Sequence, residues 1–141
     1  MQFSNTLTID RQPDEVFAYL SAFENLPAWN YAIARTRRVG TGPVGVGARY
    51  IQTRTIPRPA EEDFEVTVFA PPHRLAIQGV LGPFQAESIY ELEGAGESTV
   101  LTNSMTLEAT GVMRVAAPLA GSRVQKAVAA NLQTLKKMLE R

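Results

Sequence analysis

Five polar side chains in this chain are of types that could orient or polarise a bound molecule: Gln52, Arg54, Ser88, Tyr90 and Asn103. Each sits in a run where residues of one kind recur at every second position. "FQAESIYELE" sets Phe84, Ala86, Ser88, Tyr90 and Leu92 on one face, and "VLTNSMTL" sets Leu101, Asn103, Met105 and Leu107 together. In "ARYIQTRTI", Tyr50, Gln52, Arg54 and Ile56 share one face, against Arg49, Ile51, Thr53 and Thr55. We take the Tyr50 face as inward, with the Ile51 face as the alternative. An otherwise apolar interior then holds five polar groups. Leaving one unpaired costs about 1–3 kcal/mol, so a solvated pocket that orients a ligand accommodates them better than a dry core. There, Arg54 could polarise a carbonyl and Tyr90 could donate a proton. The competing reading is structural: Gln52 and Arg54 face solvent, while Tyr90 and Asn103 bond each other or the backbone. Met105 and Met113 suit an irregular cavity wall, and ordinary core packing equally.

The usual catalytic groups are sparse. Without cysteine there is no disulfide, thiolate nucleophile or cysteine-bound metal. His73, the single histidine, follows two prolines in "APPHRL" and reads as a surface turn residue rather than a general base. No metal site and no nucleophilic triad is expected, and no cofactor. Glu61, Glu62 and Asp63 read as solvated charge at the start of a strand, and Glu87 alternates onto the outer face. The glycines of "GTGPVGVG" do not lead into a helix, which removes a phosphate cradle. Fourteen basic and 14 acidic residues cancel, so the total charge gives no support for nucleic-acid binding. "RTRR", Arg35 to Arg38, is the one basic run and reads as a solvated strand start. No apolar stretch reaches the ~20 residues of a membrane span. The N-terminal "MQFSNTLTID" lacks the pattern of a signal peptide. The expectation is a cytoplasmic protein.

These residues must be positioned by a single domain over residues 1–141, long enough to bury one sizeable core. Phe3, Asn5, Leu7 and Ile9 alternate with Ser4, Thr6 and Thr8, which predicts a first strand. The period changes at "DRQPDEVFAYL", where Pro13 opens a short helix followed by Asp14 and Glu15. "SAFENLPAWNYAI" predicts a second short helix or turn, with Trp29 boxed between Pro27 and Asn30. Six further strands follow, broken at "GTGPVGVG", "PRP", "PPH", "GP" and "GAGE", and most simply form an antiparallel meander. Val124, Val128, Leu132, Leu135 and Leu139 then recur at helical spacing, and one long helix is predicted from Val112 to Glu140, bent or broken at Pro118. It is the one element large enough to cover the apolar face of the sheet. A sheet curling around it leaves a gap, which is a cavity.

The opening strand into "PDEVFAYLSAFENLPAWN", then "VGVGARY", "PPHRLAI", the Gly-Glu-Ser-Thr turn before "VLTNSMTLEATG" and the final "LKKMLER" resemble the START-like, Bet v 1-like (SRPBCC) superfamily, in its polyketide cyclase/dehydrase-like branch. The resemblance covers essentially the whole chain. It implies an α+β helix-grip fold, with a seven-stranded antiparallel sheet wrapped around a long C-terminal helix and two short helices between strands 1 and 2. The function it implies is binding or transport of a small hydrophobic ligand (lipid, polyketide or aromatic) between sheet and helix. A cyclase/dehydrase-like enzyme without metal or covalent nucleophile is the alternative, and a co-chaperone-like or ribosome-associated interaction module is a third. The ligand-binding set is Trp29, Tyr50, Gln52, Arg54, Ser88, Tyr90, Asn103 and Met105, with no catalytic residue assigned. Trp29 would close one end of the cavity in such a fold, or plug the core. The expected partner is a small hydrophobic molecule, with a homodimer left open.

Overall fold

The structure, a computed structural model, describes residues 1–109 and 121–141 in full and residues 113–120 as helix only. Met113 and Pro118, for which the sequence suggested a cavity contact and a bend or break, therefore lie outside the fully described residues.

β1 (Gln2–Ile9) leads into α1 (Pro13–Ser21), a single 3-10 turn (Phe23–Asn25) and α2 (Leu26–Trp29). Pro13 opens α1, where no backbone N–H is needed, and the helix buries Val16, Phe17 and Leu20. The strands β2 (Ile33–Val39), β3 (Arg49–Arg54), β4 (Ala60–Ala70), β5 (Arg74–Leu81), β6 (Phe84–Ala95) and β7 (Ser98–Ala109) follow, then α3 (Met113–Leu139). All seven strands form one antiparallel sheet in the order β1-β7-β6-β5-β4-β3-β2. Short turns make the consecutive pairs, and β1 closes onto β7 across the length of the chain. Register irregularities between Ile33 and Arg35 and between Val66 and Val68 add local twist. The helix-grip expectation is met: one sheet with α3 packed against β1 and β7, and α2 packed on β2 and α3.

The inner faces supply the core. Ile9, Tyr50, Val66, Leu75, Leu101, Leu132 and Leu135 are buried in one cluster with α1 and α2. Phe3, Phe84, Met105 and Leu107 make a second, smaller one. The end of α3 is tied to the chain's start by polar contacts. Lys136 Nζ donates to the Thr8 carbonyl at 2.6 Å, and the Asp10 amide donates to Glu140 Oε2 at 2.8 Å. Among the described residues, no helix is long and apolar enough to cross a membrane.

Candidate functional site

Alternation along β3 buries Tyr50 and turns Gln52 and Arg54 inward, so the Tyr50 face is the inner one. A cavity of about 100 Å³ lies between the sheet, α2 and α3. Seven of the eight residues expected to contact a ligand line it: Trp29, Gln52, Arg54, Ser88, Tyr90, Asn103 and Met105. Tyr50 does not. It is fully buried, stacked on Phe64 with ring centroids 5.3 Å apart and tilted against Phe23 at 4.9 Å, so it belongs to the aromatic core. Among the described residues its hydroxyl meets no hydrogen-bond partner in bonding geometry, and the Arg38 guanidinium lies 5.5 Å from its ring centre.

The strongest polar feature is one the sequence reading missed. Glu62 was expected to be solvated charge. Instead its side chain is 2% exposed and forms an ion pair with Arg54, 12% exposed, at 2.9 Å. The carboxylate also accepts from Gln52 Nε2 at 2.9 Å and from the Gly82 amide at 2.6 Å. Gly82 adopts a left-handed φ of 59° in the β5–β6 turn, which aims that amide at Glu62. Buried charge persists only when paired and hydrogen-bonded, and every contact named here meets that demand. The signal was present in the sequence: counting back by twos from Phe64 and Val66 puts Glu62 on the inner face. Arg54 also donates from Nη1 to the Ile56 carbonyl at 3.3 Å, which fixes the guanidinium at the cavity wall.

On β6 and β7 the polar groups are neutral. Asn103, 0% exposed, donates from Nδ2 to Ser88 Oγ at 2.8 Å and to the Ile89 carbonyl at 3.3 Å, leaving Oδ1 without a partner among the described residues. Of the structural alternative, in which Tyr90 and Asn103 bond each other or the backbone, the backbone half is found in the Asn103–Ile89 bond, and no bond between Asn103 and Tyr90 is found among the described residues. Burial pushes the Tyr90 phenol up, partly offset by the Ser88 hydroxyl, so it stays protonated at neutral pH and can donate. Asn131 of α3 and Asn30 after α2 also reach the cavity. Both hold backbone: Asn131 Oδ1 accepts from the Tyr31 amide at 3.4 Å, tying α3 to the segment after α2, and Asn30 Oδ1 accepts from the Ala32 amide at 3.1 Å. Asn131 follows Val128 by three positions, on the helical stripe that the apolar pattern defined. Trp29 is buried at the end of α2 and forms part of the wall. His73 is exposed in the turn before β5. Among the described residues, no cluster of histidine and acidic side chains could hold a metal ion.

The sequence pattern of the family described as polyketide cyclase / dehydrase and lipid transport matches residues 1–140. The chain belongs to this family. No curated protein sequence matches it. Among solved structures, this family member is similar to TTHA0849 from Thermus thermophilus, with 17% identity, 99% of this chain and 97% of that one covered, and a TM-score of 0.82. It is similar to a START superfamily protein from Mycobacterium smegmatis, with 19% identity, 98% of each chain covered and a TM-score of 0.75. It is also similar to the di-domain ARO/CYC StfQ of the steffimycin biosynthetic pathway, with 14% identity, 99% of this chain covered and a TM-score of 0.82. That match spans 50% of StfQ. Identities this low establish a shared START-like fold and no more.

Proposed function

We propose that the chain binds a small, largely apolar molecule carrying a few polar groups, held between the sheet and α3. The carrying observation is the convergence of Trp29, Gln52, Arg54, Ser88, Tyr90, Asn103 and Met105 on one cavity of mixed polarity. Apolar walls with a few fixed polar groups are the usual form of small-molecule sites. At about 100 Å³ the cavity is smaller than the roughly 300–1,000 Å³ of drug-sized sites, which supports a compact ligand, or the compact end of a longer one. The family's description, joining cyclase and dehydrase chemistry to lipid transport, is consistent with such a pocket.

Trp29 lines the cavity and is the single tryptophan, so its fluorescence reports occupancy. Titration with fatty acids, sterols and aromatic polyketides should shift its emission for at least one class, with a matching rise in melting temperature. Emission and melting temperature unchanged across all classes would contradict ligand binding.

A second reading is catalysis on a polyketide-like substrate, favoured by a protonated Tyr90 sharing the cavity with Arg54. Holding a flexible reactant in a reactive geometry would supply much of the rate. Glu62 offsets the charge that Arg54 would lend to a carbonyl, which is why binding stands first. Under the catalytic reading, Tyr90→Phe abolishes turnover of a polyketide substrate while the melting temperature holds. Turnover equal to that of the parent would remove Tyr90 as proton donor.

A further inference from the structure

Among the described residues, Arg54 is the one charged side chain that lines the cavity, and its charge is already answered. Glu62, which does not line the cavity, accepts from Arg54 Nε at both carboxylate oxygens, at 2.9 Å and 3.0 Å. The carboxylate is itself held in place by Gln52 Nε2 and the Gly82 amide. Two layers result: a guanidinium on the wall, and a carboxylate, 2% exposed, beyond it. A guanidinium has five N–H donors. Among the described residues, those of Arg54 are used at Nε, toward Glu62, and once at Nη1, toward the Ile56 carbonyl. The wall therefore offers hydrogen-bond donors without a free positive charge.

Charge balance then decides which ligands the cavity accepts. A neutral carbonyl or amide oxygen takes a hydrogen bond from Arg54 and leaves the pair balanced. A carboxylate brings a second negative charge to a cation that already has its partner, and the surplus charge is buried. A cation meets the guanidinium itself, like charge against like. We propose that Glu62 sets the charge selectivity of the cavity from outside it: by neutralising Arg54, it makes the site one for uncharged ligands and closes it to carboxylates. This rests on the reading of the cavity as a ligand site. Glu62 touches no ligand in this role and acts through Arg54 alone.

An apolar cavity of about 150 Å³ takes benzene, so a space of about 100 Å³ calls for probes no larger than a single substituted ring. Four of nearly equal size separate the possibilities: benzamide and 4-methylphenol, which are neutral, benzoate, an anion, and benzamidinium, a cation. In calorimetric titrations of the full chain at neutral pH, the neutral rings should bind at least about tenfold more tightly than either ion. Glu62→Gln keeps an acceptor for Arg54 and the Gly82 amide but removes the charge. In that variant benzoate should gain at least about tenfold, while benzamide changes by less than about threefold. Glu61→Gln alters the net charge equally, on the exposed neighbouring residue, and should leave benzoate binding as in the parent. So should Arg54→Gln/Glu62→Gln, in which no guanidinium is left to pair with the anion. Benzoate binding the parent as tightly as benzamide would overturn the charge selectivity, and this arm needs no variant to fold. No gain in a folded Glu62→Gln, or an equal gain in Glu61→Gln or in the double variant, would overturn the assignment to the Arg54–Glu62 pair while leaving the ligand site standing. Binding of none of the four to any of these proteins would overturn the selectivity and the ligand-site reading together.

Discussion

Replacing Arg54 by leucine strands a carboxylate that is 2% exposed. Removing one partner of a buried ion pair typically costs about 3–5 kcal/mol, whereas replacing both by apolar residues is often close to neutral. Arg54→Leu should therefore lower stability by about that amount, and Arg54→Leu/Glu62→Leu should recover most of it, as measured by urea unfolding. A double variant as unstable as the single one would mean that the pair is not the source of the loss. Tyr50→Phe carries the opposite expectation. The hydroxyl it removes is buried without a partner among the described residues, so stability should hold or rise, and a drop of more than about 1 kcal/mol would reveal a bond that the hydroxyl makes, with Arg38 the nearby donor. The alternation of "ARYIQTR" divided β3 into two faces but left open which one points inward. Whether an inward residue meets a cavity or a core was not legible either, because Tyr50 is covered by Phe23 and Phe64, which come from other parts of the chain. Glu62 was misread for a different reason: three consecutive acids look solvated when weighed by charge rather than by position.

Among the elements, β4 leaves no room on β5 for a side chain at Gly79. A Cβ there would stand 2.6 Å from Phe64 Cα and would also run into the Asp63 carbonyl oxygen. These are backbone atoms that cannot turn aside. Gly79→Ala should destabilise by about 1–3 kcal/mol or more, read from thermal unfolding. A melting temperature equal to that of the parent would show that the strands can separate at little cost. Strand limits were legible because each break carries its own turn chemistry. The closeness at Gly79 and the irregularity between Val66 and Val68 were not, since both arise from how one strand lies on another. The tie between α3 and β1 depends on pH. Glu140 is held below the ordinary glutamate value of 4.5, first by its bond from Lys136 and then by the Asp10 amide. A lowered folded-state pKa means a contribution present in full above 4.5 and lost as the pH falls through the lowered value. Protection of the Asp10 amide from hydrogen exchange should weaken over that acid range and be absent throughout in Glu140→Ala, which has no side-chain acceptor. Undiminished protection in the variant would show that another group holds the amide.

At the scale of the whole molecule, the order of elements was readable from the sequence, and it carries the fold. An antiparallel sheet with one apolar face and a single long amphipathic helix have one economical way to cover each other. The arrangement gathers seven side chains from α2, β3, β6 and β7 around one space. Its size and its balance of polar groups were beyond the sequence, because they depend on how side chains from distant segments fill the interior. The central claim is that this space takes a ligand. Its most direct test is a two-dimensional ¹⁵N NMR titration with 4-methylphenol, following the Trp29 indole, the Asn103 side-chain amide and Arg54 Nε together with the backbone. Saturable shifts centred on those three groups are expected. Shifts confined to the outer face of the sheet, around Glu87 and Thr106, or no saturable shift at all, would contradict the claim.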